Sequence, residues 1–513
     1  MKLKEVGKMD VKKLFIKLTL THYRRVLKTN TSQGEPKYRS KMFTFQSLLL
    51  LLFQLITTIN ATQQYYNNSR LDVRVTRALG PKGYNKMRLS VITHGPATFA
   101  DINFTYSSKF QYRWTKWPDS ERNRNQPNVP ERWLHSKLID IPLNPDSSTG
   151  KCTLNLTVAG HAISIELPPI GTGSKGIIIS DPCFKPPKGI QSWIDCKWSK
   201  PWKTFNRLTR LLESTVGATN KAFEVDYFSI LGDNFYDQNG AISDVFFHNL
   251  SLNVKRKPLS MVIGNHDMWI EGGPSDGDNY DQHGNGMMQY YALDTAASIS
   301  PVVIAQNNGT FLDFSIDPDQ VAQWNGTLNT ASNLIWYNFI GDVAYIGVSG
   351  AFNESELAPH LDRACDWLGT VQTDVKWVFL LGHWDQETSQ EGEQCDPCPG
   401  MSTPDVYQRL RKTSGCQEYG TRIKYMDGHT HCNYIQEVDK SVPNGETLGY
   451  MIGGSGMSGC GQFGFEYVDS TNGEMKIYYF ELENENRSRS EEILNCLESK
   501  GVSNCTELAT VWH

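Results

Sequence analysis

Phe223-Glu-Val-Asp-Tyr-Phe-Ser-Ile-Leu-Gly-Asp-Asn-Phe-Tyr236 is the stretch that decides how this chain folds. A run of strand-forming residues ends at Gly232, and two oxygen donors, Asp233 and Tyr236, follow at once. Glycine gives the backbone freedom for a sharp turn, so a buried strand can deliver side chains into a cleft. Just upstream, Ile177-Ile178-Ile179 ends at Ser180-Asp181, and a helical pattern near Trp202–Ser214 lies between the two runs. Strand, crossover helix and strand predict a parallel βαβ unit, hence an α/β architecture with ligands at the carboxyl ends of its strands.

The same punctuation recurs downstream. Leu259–Ile263 runs into Gly264-Asn265-His266-Asp267, Val375–Leu381 into Gly382-His383, and Ile423–Met426 into Asp427-Gly428-His429-Thr430-His431. Residues i and i+2 of an extended segment point the same way, so His429 and His431 can grip one ion or two adjacent ions. Val343–Val348 reads as a further strand, Tyr450–Gly454 and Met475–Leu482 as strands of a second sheet, and Ser490–Lys500 as a helix. Residues 268–335, rich in Gly, Asn, Asp and Gln, are expected to form a surface loop capping the cleft, with His283 a candidate pocket residue.

Before Pro168 the pattern changes to short alternating runs, among them Met87–Thr93, Ala100–Tyr106, Cys152–Val158 and Ala162–Leu167. They predict a β-sandwich-like domain over 62–170, with Trp114, Trp117 and Trp133 read as aromatic filler. The α/β part spans 176–483, and 484–513 forms a C-terminal tail.

Residues 1–41 carry twelve Lys or Arg against three acids, a net of +9, so with -5 overall the remainder sits at -14. An acidic body argues against nucleic acid as a partner. The uncharged, apolar stretch behind the basic segment reads as a signal peptide or signal anchor ending near Ala61, with Met42 an alternative start. Membrane attachment is expected only if 42–61 acts as an uncleaved anchor. Nine Asn-x-Ser/Thr acceptors follow, at Asn67, Asn103, Asn155, Asn249, Asn308, Asn325, Asn353, Asn486 and Asn504. With eleven cysteines, all after residue 151, they predict a disulfide-bonded N-glycoprotein, secreted or in a lysosomal or endomembrane lumen. An odd count leaves at least one thiol unpaired within the chain. Cys496 is near enough to Cys505 to pair, and Cys395 and Cys398 are expected in a disulfide set with Cys416.

Carboxylate, amide, phenol and imidazole donors at successive strand ends suit hard or borderline cations. On Asp181, Gly232-Asp233-Asn234-Phe235-Tyr236, Gly264-Asn265-His266-Asp267, Gly382-His383 and Gly428-His429-Thr430-His431, the chain resembles the calcineurin-like metallophosphoesterases. Tyr236 points to the purple acid phosphatase branch, and the motif around it is similar to the small tartrate-resistant members. The resemblance covers 177 to about 482. It implies a two-sheet sandwich flanked by helices and hydrolysis of phosphate monoesters on small molecules or proteins by a metal-bound hydroxide. It further implies Fe(III) held by Asp181, Tyr236 and His431. Zn, Fe or Mn would be held by Asn265, His383 and His429, and Asp233 would bridge. His266 would stabilise phosphoryl oxygens or protonate the leaving group, oriented by Asp267. A phosphodiesterase of the same fold and an inactive cell-surface binding glycoprotein are the alternatives. Asp181-Pro182-Cys183, with an expected Cys183–Cys196 bond, His383-Trp384-Asp385 and Gly392 depart from the family pattern around the substrate pocket.

Overall fold

The computed structural model describes residues 71–80, 83–110, 132–183, 201–220, 224–237, 239–267, 285–293, 335–352, 354–385, 400–440, 446–454, 464–482 and 487–512. The expected signal segment, Trp114, Trp117, Cys196, His283, Gly392, Cys395 and Cys398 lie outside the described residues. In chain order the strands are β1 (Val73–Arg77), β2 (Lys86–Thr93), β3 (Tyr106–Lys109), β4 (Trp133–Asp140), β5 (Cys152–Val158), β6 (His161–Leu167), β7 (Lys175–Ile179), β8 (Tyr227–Leu231) and β9 (Leu259–Val262). They continue as β10 (Ile335–Ile340), β11 (Val343–Val348), β12 (Trp377–Leu381), β13 (Ile423–Asp427), β14 (Tyr434–Asp439), β15 (Glu446–Met451), β16 (Gly464–Asp469), β17 (Lys476–Glu481) and β18 (Thr510–Trp512). The helices are α1 (Pro201–Thr215), α2 (Ala241–His248), α3 (Leu252–Lys255), α4 (Asn285–Tyr291), α5 (Glu354–Thr370), α6 (Thr403–Leu410) and α7 (Arg487–Lys500).

Two six-stranded sheets carry the architecture, in the orders β18-β17-β16-β7-β8-β9 and β10-β11-β12-β13-β15-β14. β7, β8 and β9 are mutually parallel, as are β11, β12, β13 and β15. Strands covered on both faces read as unbroken apolar runs, which is why Ile177–Ile179 and Val378–Leu381 are fully buried. One apolar cluster fills the space between the sheets, joining Ile178, Tyr227 and Tyr467 to Tyr345, Phe379 and Tyr450. The Trp336 indole of β10 donates to the Met261 carbonyl of β9 at 2.7 Å, and the Tyr227 and Tyr345 hydroxyls meet across the gap.

The N-terminal region is all-β, as expected: a four-stranded antiparallel sheet β1-β2-β4-β3 and the hairpin β5-β6. It does not keep its core to itself. Val73, Val75, Leu89 and Val91 share a buried cluster with Tyr337 and Ile346 of the second large sheet. Val75 also makes a parallel bridge to Pro258, beside β9, and Arg70–His513 forms one compact unit. The strand expected at Ala100–Tyr106 lies further on, at Tyr106–Lys109. Asp101 is instead occupied in accepting the Ala159 and Gly160 amides of the β5-β6 turn, and Phe99 and Phe104 pack on the His135 ring. Part of the 268–335 insertion is also not surface loop, because α4 buries Met287, Tyr290 and Tyr291.

Cys496 pairs with Cys505 as anticipated, whereas Cys416 pairs with Cys365 on α5 and so is not the partner of Cys395 or Cys398. Closing a 51-residue separation stabilises the fold by about 4 kcal/mol through lost chain entropy. Cys183 and Cys432 are also disulfide-bonded. Among the described residues Cys152 is the free thiol, buried against the Leu143 carbonyl.

At the amino ends of β7 and β8, opposite the ligand-bearing ends, Glu224 receives Lys257, Lys151 at 3.5 Å and Arg256 at 3.3 Å. Burial works to raise the Glu224 carboxyl, but the three cations outweigh it and hold it down at about 2. Burial together with Lys151 and Arg256 pushes Lys257 down to about 8. A depressed carboxylate contributes stability above its unfolded pKa of 4.5 and loses it as pH falls towards 2. Glu224→Gln leaves the buried Lys257 ammonium with the more distant Glu166, at 3.9 Å, and is expected to cost about 3 kcal/mol at neutral pH. Urea unfolding should show this deficit shrinking between pH 4.5 and 2; a deficit that stays constant across that window refutes the coupling.

Candidate metal centre

Parallel register sets the geometry before any side chain is considered. Ile179 lies opposite Ile230, Leu231 opposite Val262, and Leu381 opposite Met426. The loops carrying Asp181, Asp233 and Asn265 therefore emerge side by side from one sheet, and those carrying His383 and His429 from the other. All seven predicted donors come together.

They form two groups. In the first, the Tyr236 hydroxyl lies 3.3 Å from Asp181 Oδ1 and 2.8 Å from His431 Nε2, and His431 Nε2 lies 3.3 Å from Asp181 Oδ1. In the second, Asn265 Oδ1 is 3.2 Å from His383 Nε2 and 3.1 Å from His429 Nδ1, and the two imidazole nitrogens are 3.3 Å apart. Asp233 Oδ1 sits 3.3 Å from His383 Nε2, and Asp181, Asp233 and His383 offer donor atoms all within 4.8 Å of one another.

The backbone is bent to make this possible. Among the described residues eight non-glycines have positive φ, and six of them lie in these loops: Asp181, Asp233, Phe235, Tyr236, His429 and His431. Asp and His tolerate the left-handed region better than most residues, but bulky Phe235 and Tyr236 hold it only under constraint. Three glycines admit the close approach. A Cβ on Gly232 would overlap the His383 ring, one on Gly264 would overlap Asp233, and one on Gly428 would overlap Ser180 and Asp181.

Local hydrogen bonds then aim the donors. His383 Nδ1 donates to the Leu231 carbonyl at 2.8 Å, which turns Nε2 towards Asn265, Asp233 and His429. Asp181 receives the Ser180 hydroxyl and the His429 amide, the latter at 3.1 Å. Asp233 Oδ1 receives the His266 amide at 2.9 Å. Asp267 does not orient the His266 ring as expected: its carboxylate accepts the Asn234 amide, the Asn234 side chain and the Gly264 amide, each at 2.8 Å. It thereby staples the β8 loop to the β9 loop. Asn234 and Asp267 are structural partners whose importance was visible only as neighbours of ligand residues. His266 itself packs its ring 5.1 Å from that of Tyr236.

Charge makes the fit to cations clear. Asp181 and Asp233 are fully buried, and among the described residues their ion-pair partners are histidines alone. Burial lowers the His383 imidazolium, yet Asp233 and Asp181 overcome it and raise the group to about 10. A proton there stands in for a cation. Burial and the nearby His383 charge bring His429 down to about 4, leaving a neutral ring with a lone pair to give. Burial, then Asp181 and Asp233, hold the Tyr236 phenol well above its ordinary value. Oxygen and imidazole donors crowded in this way, without Lys, Arg or thiolate among them, suit hard or borderline cations.

The calcineurin-like phosphoesterase family model matches residues 177–433, just over half of the 513. The chain belongs to the calcineurin-like phosphoesterase family. No curated protein matches it closely enough to count as a relative. Among solved structures, this phosphoesterase is similar to purple acid phosphatase PPD1 from yellow lupin (Lupinus luteus) seeds, at 14% identity and a TM-score of 0.47, covering 82% of this chain and 73% of that one. It is similar to PhoD at 9% identity and a TM-score of 0.37, covering 80% and 90%. GAP50, the anchor in the inner membrane complex of Plasmodium, matches at 12% identity and a TM-score of 0.31, covering 61% and 86%. With identities this low, the family assignment rests on the sequence match over 177–433.

Gly264→Ala tests the packing against Asp233. It should cut metal affinity about 10- to 100-fold while leaving the far-ultraviolet circular dichroism unchanged. Metal titration giving wild-type affinity refutes the close-approach reading.

Proposed function

We propose that this phosphoesterase is a purple-acid-phosphatase-type enzyme that hydrolyses phosphate monoesters with two metal ions. Asp181, Tyr236 and His431 would hold one ion, Asn265, His383 and His429 the other, and Asp233 would serve both. The observation that carries the reading is the convergence of two donor triads, with contacts of 2.8–3.3 Å, on carboxylates whose ion-pair partners among the described residues are histidines. A bound ion pair would activate water as a nucleophile and neutralise charge on the phosphate oxygens. Because burial and two carboxylates oppose ionisation of Tyr236, a trivalent ion such as Fe(III) suits its triad, with Zn, Fe or Mn in the other.

The protein's own groups orient the donors. Leu231 and Ser180 fix His383 and Asp181, which are fully buried, while His429 and His431 stay half-buried on the open side of the site. His266 would meet the substrate, as a donor to phosphoryl oxygens or as the proton source for the leaving group. Disulfides fit an oxidising compartment, and the described acceptor asparagines Asn103, Asn155, Asn249 and Asn504 are all exposed. Both features support a secreted or lysosomal N-glycoprotein. Among the described residues no helix is long and apolar enough to cross a membrane.

Turnover of an aryl phosphate monoester above that of the diester, lost on chelation and restored by metal, is the expected result. Preference for the diester would make the enzyme a phosphodiesterase, and a metal-bound protein inert to both would make it a binding glycoprotein. Tyr236→Phe should abolish the visible phenolate-to-iron band without unfolding the chain, and Asp233→Ala should leave the protein with neither metal.

Burial lowers the His266 pKa below 6.5, so its protonated form grows only as pH falls below that value. If His266 supplies the leaving-group proton, His266→Ala should lower kcat about 100-fold or more and remove the acid-favoured limb of the pH–rate profile. An unaltered profile assigns that proton to another group.

A further inference from the structure

The ligand loop from Gly232 to Asp237 is held from behind by a residue of the N-terminal sheet. Asp233, Phe235 and Tyr236 all have positive φ, so the loop keeps its shape only if its surroundings over-determine it. Helix α2 is that surrounding. Phe235 packs on Phe246 at 4.5 Å and on Phe247 at 6.0 Å between ring centroids. Asp237 is fully buried and accepts the Asn239 and Gly240 amides at 3.1 and 2.9 Å and the Ser243 amide at 2.8 Å, which closes the loop onto the first turn of α2. The helix is fixed in turn by Arg132, at the start of β4. Its Nε and Nη2 donate to Asp244 Oδ2 at 3.0 and 2.6 Å, and its Nη1 donates to the Asn239 carbonyl at 2.6 Å. Arg132 is 1% exposed and Asp244 5%. A single planar guanidinium thus binds both the helix and the turn that links it to the ligand loop, a geometry that the compact lysine ammonium cannot reproduce.

We propose that Arg132 is a positioning residue for Tyr236 and Asp233, so that the N-terminal sheet completes the metal centre and is not an appended binding module. The proposal rests on the metal-site reading given above. It predicts that loosening Arg132 affects metal retention out of proportion to its effect on overall stability. Two variants separate the effects. Arg132→Lys keeps the charge beside Asp244 but cannot span Asp244 and the Asn239 carbonyl together. The double variant Arg132→Met with Asp244→Leu replaces the buried pair by apolar groups, an exchange that buried ion pairs often tolerate in stability. Glu224→Gln, at the opposite end of the strands, serves as the control that destabilises without touching the ligand loop.

The test uses the full chain loaded with Zn²⁺ and follows metal transfer to a chromophoric chelator, alongside thermal unfolding and, for the iron-loaded form, the phenolate band. Both Arg132 variants are expected to release metal about 10-fold faster or more and to shift the band. The control should unfold at lower temperature yet release metal at the wild-type rate. Release rates equal to wild type in both variants overturn the proposal, as do rates that track the loss of thermal stability across all three proteins. Failure of both Arg132 variants to fold also overturns it, in favour of a purely structural pair. A wild-type chain that takes up no metal overturns the site reading itself, and this proposal with it.

Discussion

Two carboxylates, Asp181 and Asp233, are buried, and among the described residues their ion-pair partners are imidazoles alone. Burying an unpaired carboxylate is among the costliest things a fold can do, and a histidine proton is only partial relief. The rest of the site follows from that constraint. Asn265 Oδ1, His383 Nε2 and His429 Nδ1 converge to within 3.1–3.3 Å of one another, and the buried Tyr236 phenol lies beside the Asp181 carboxylate. Each feature is unfavourable in a metal-free protein. A cation in place of the His383 proton would relieve each of them, and folding and metal uptake would then be coupled through the same atoms.

That electrostatic cost is held in place by a mechanical one. Six non-glycine residues of the ligand loops adopt positive φ, and three glycines let side chains approach within van der Waals range of the opposing backbone. The apolar layer between the two sheets supplies the resistance. A one-residue slip would carry every side chain of a strand to the opposite face and undo its packing, so register is fixed, and register sets which loops lie side by side. The Asp267 staple between the β8 and β9 loops then removes the remaining freedom locally.

The strand ends were readable from the sequence because period and punctuation coincide there: a short apolar run, a glycine, then a donor. Asp233, Tyr236, Asn265, His383, His429 and His431 fall at such breaks, Asp181 follows its apolar run through Ser180 without a glycine, and the structure gathers all seven. What the pattern could not reveal is interaction across long separations. β10, β14, β16 and β18 lack a ligand to mark them, and Cys365 carries no spacing signal that would pair it with Cys416 rather than with the nearer Cys395 or Cys398. Asp267 beside His266 looks like a dyad in one dimension. In three dimensions its carboxylate faces the previous strand's loop.

The N-terminal region shows the same limit most plainly. Its alternating runs and the Pro168-Pro169 break suggest a module that folds by itself, yet its side chains are committed elsewhere. Arg74 lies over the Phe247 ring at 3.7 Å and donates to the Tyr290 hydroxyl across 216 residues, and Arg132 reaches Asp244 across 112. Buried guanidinium groups require partners, so these two side chains tie the N-terminal sheet to α2 and α4. Closing contacts of that length is entropically costly and slow, and only the shared apolar clusters that include Val73, Leu89 and Leu134 offset it. The sheet and the strands that carry the site therefore belong to one compact unit, Arg70–His513. The boundary in pattern near residue 170 is crossed by a shared buried cluster.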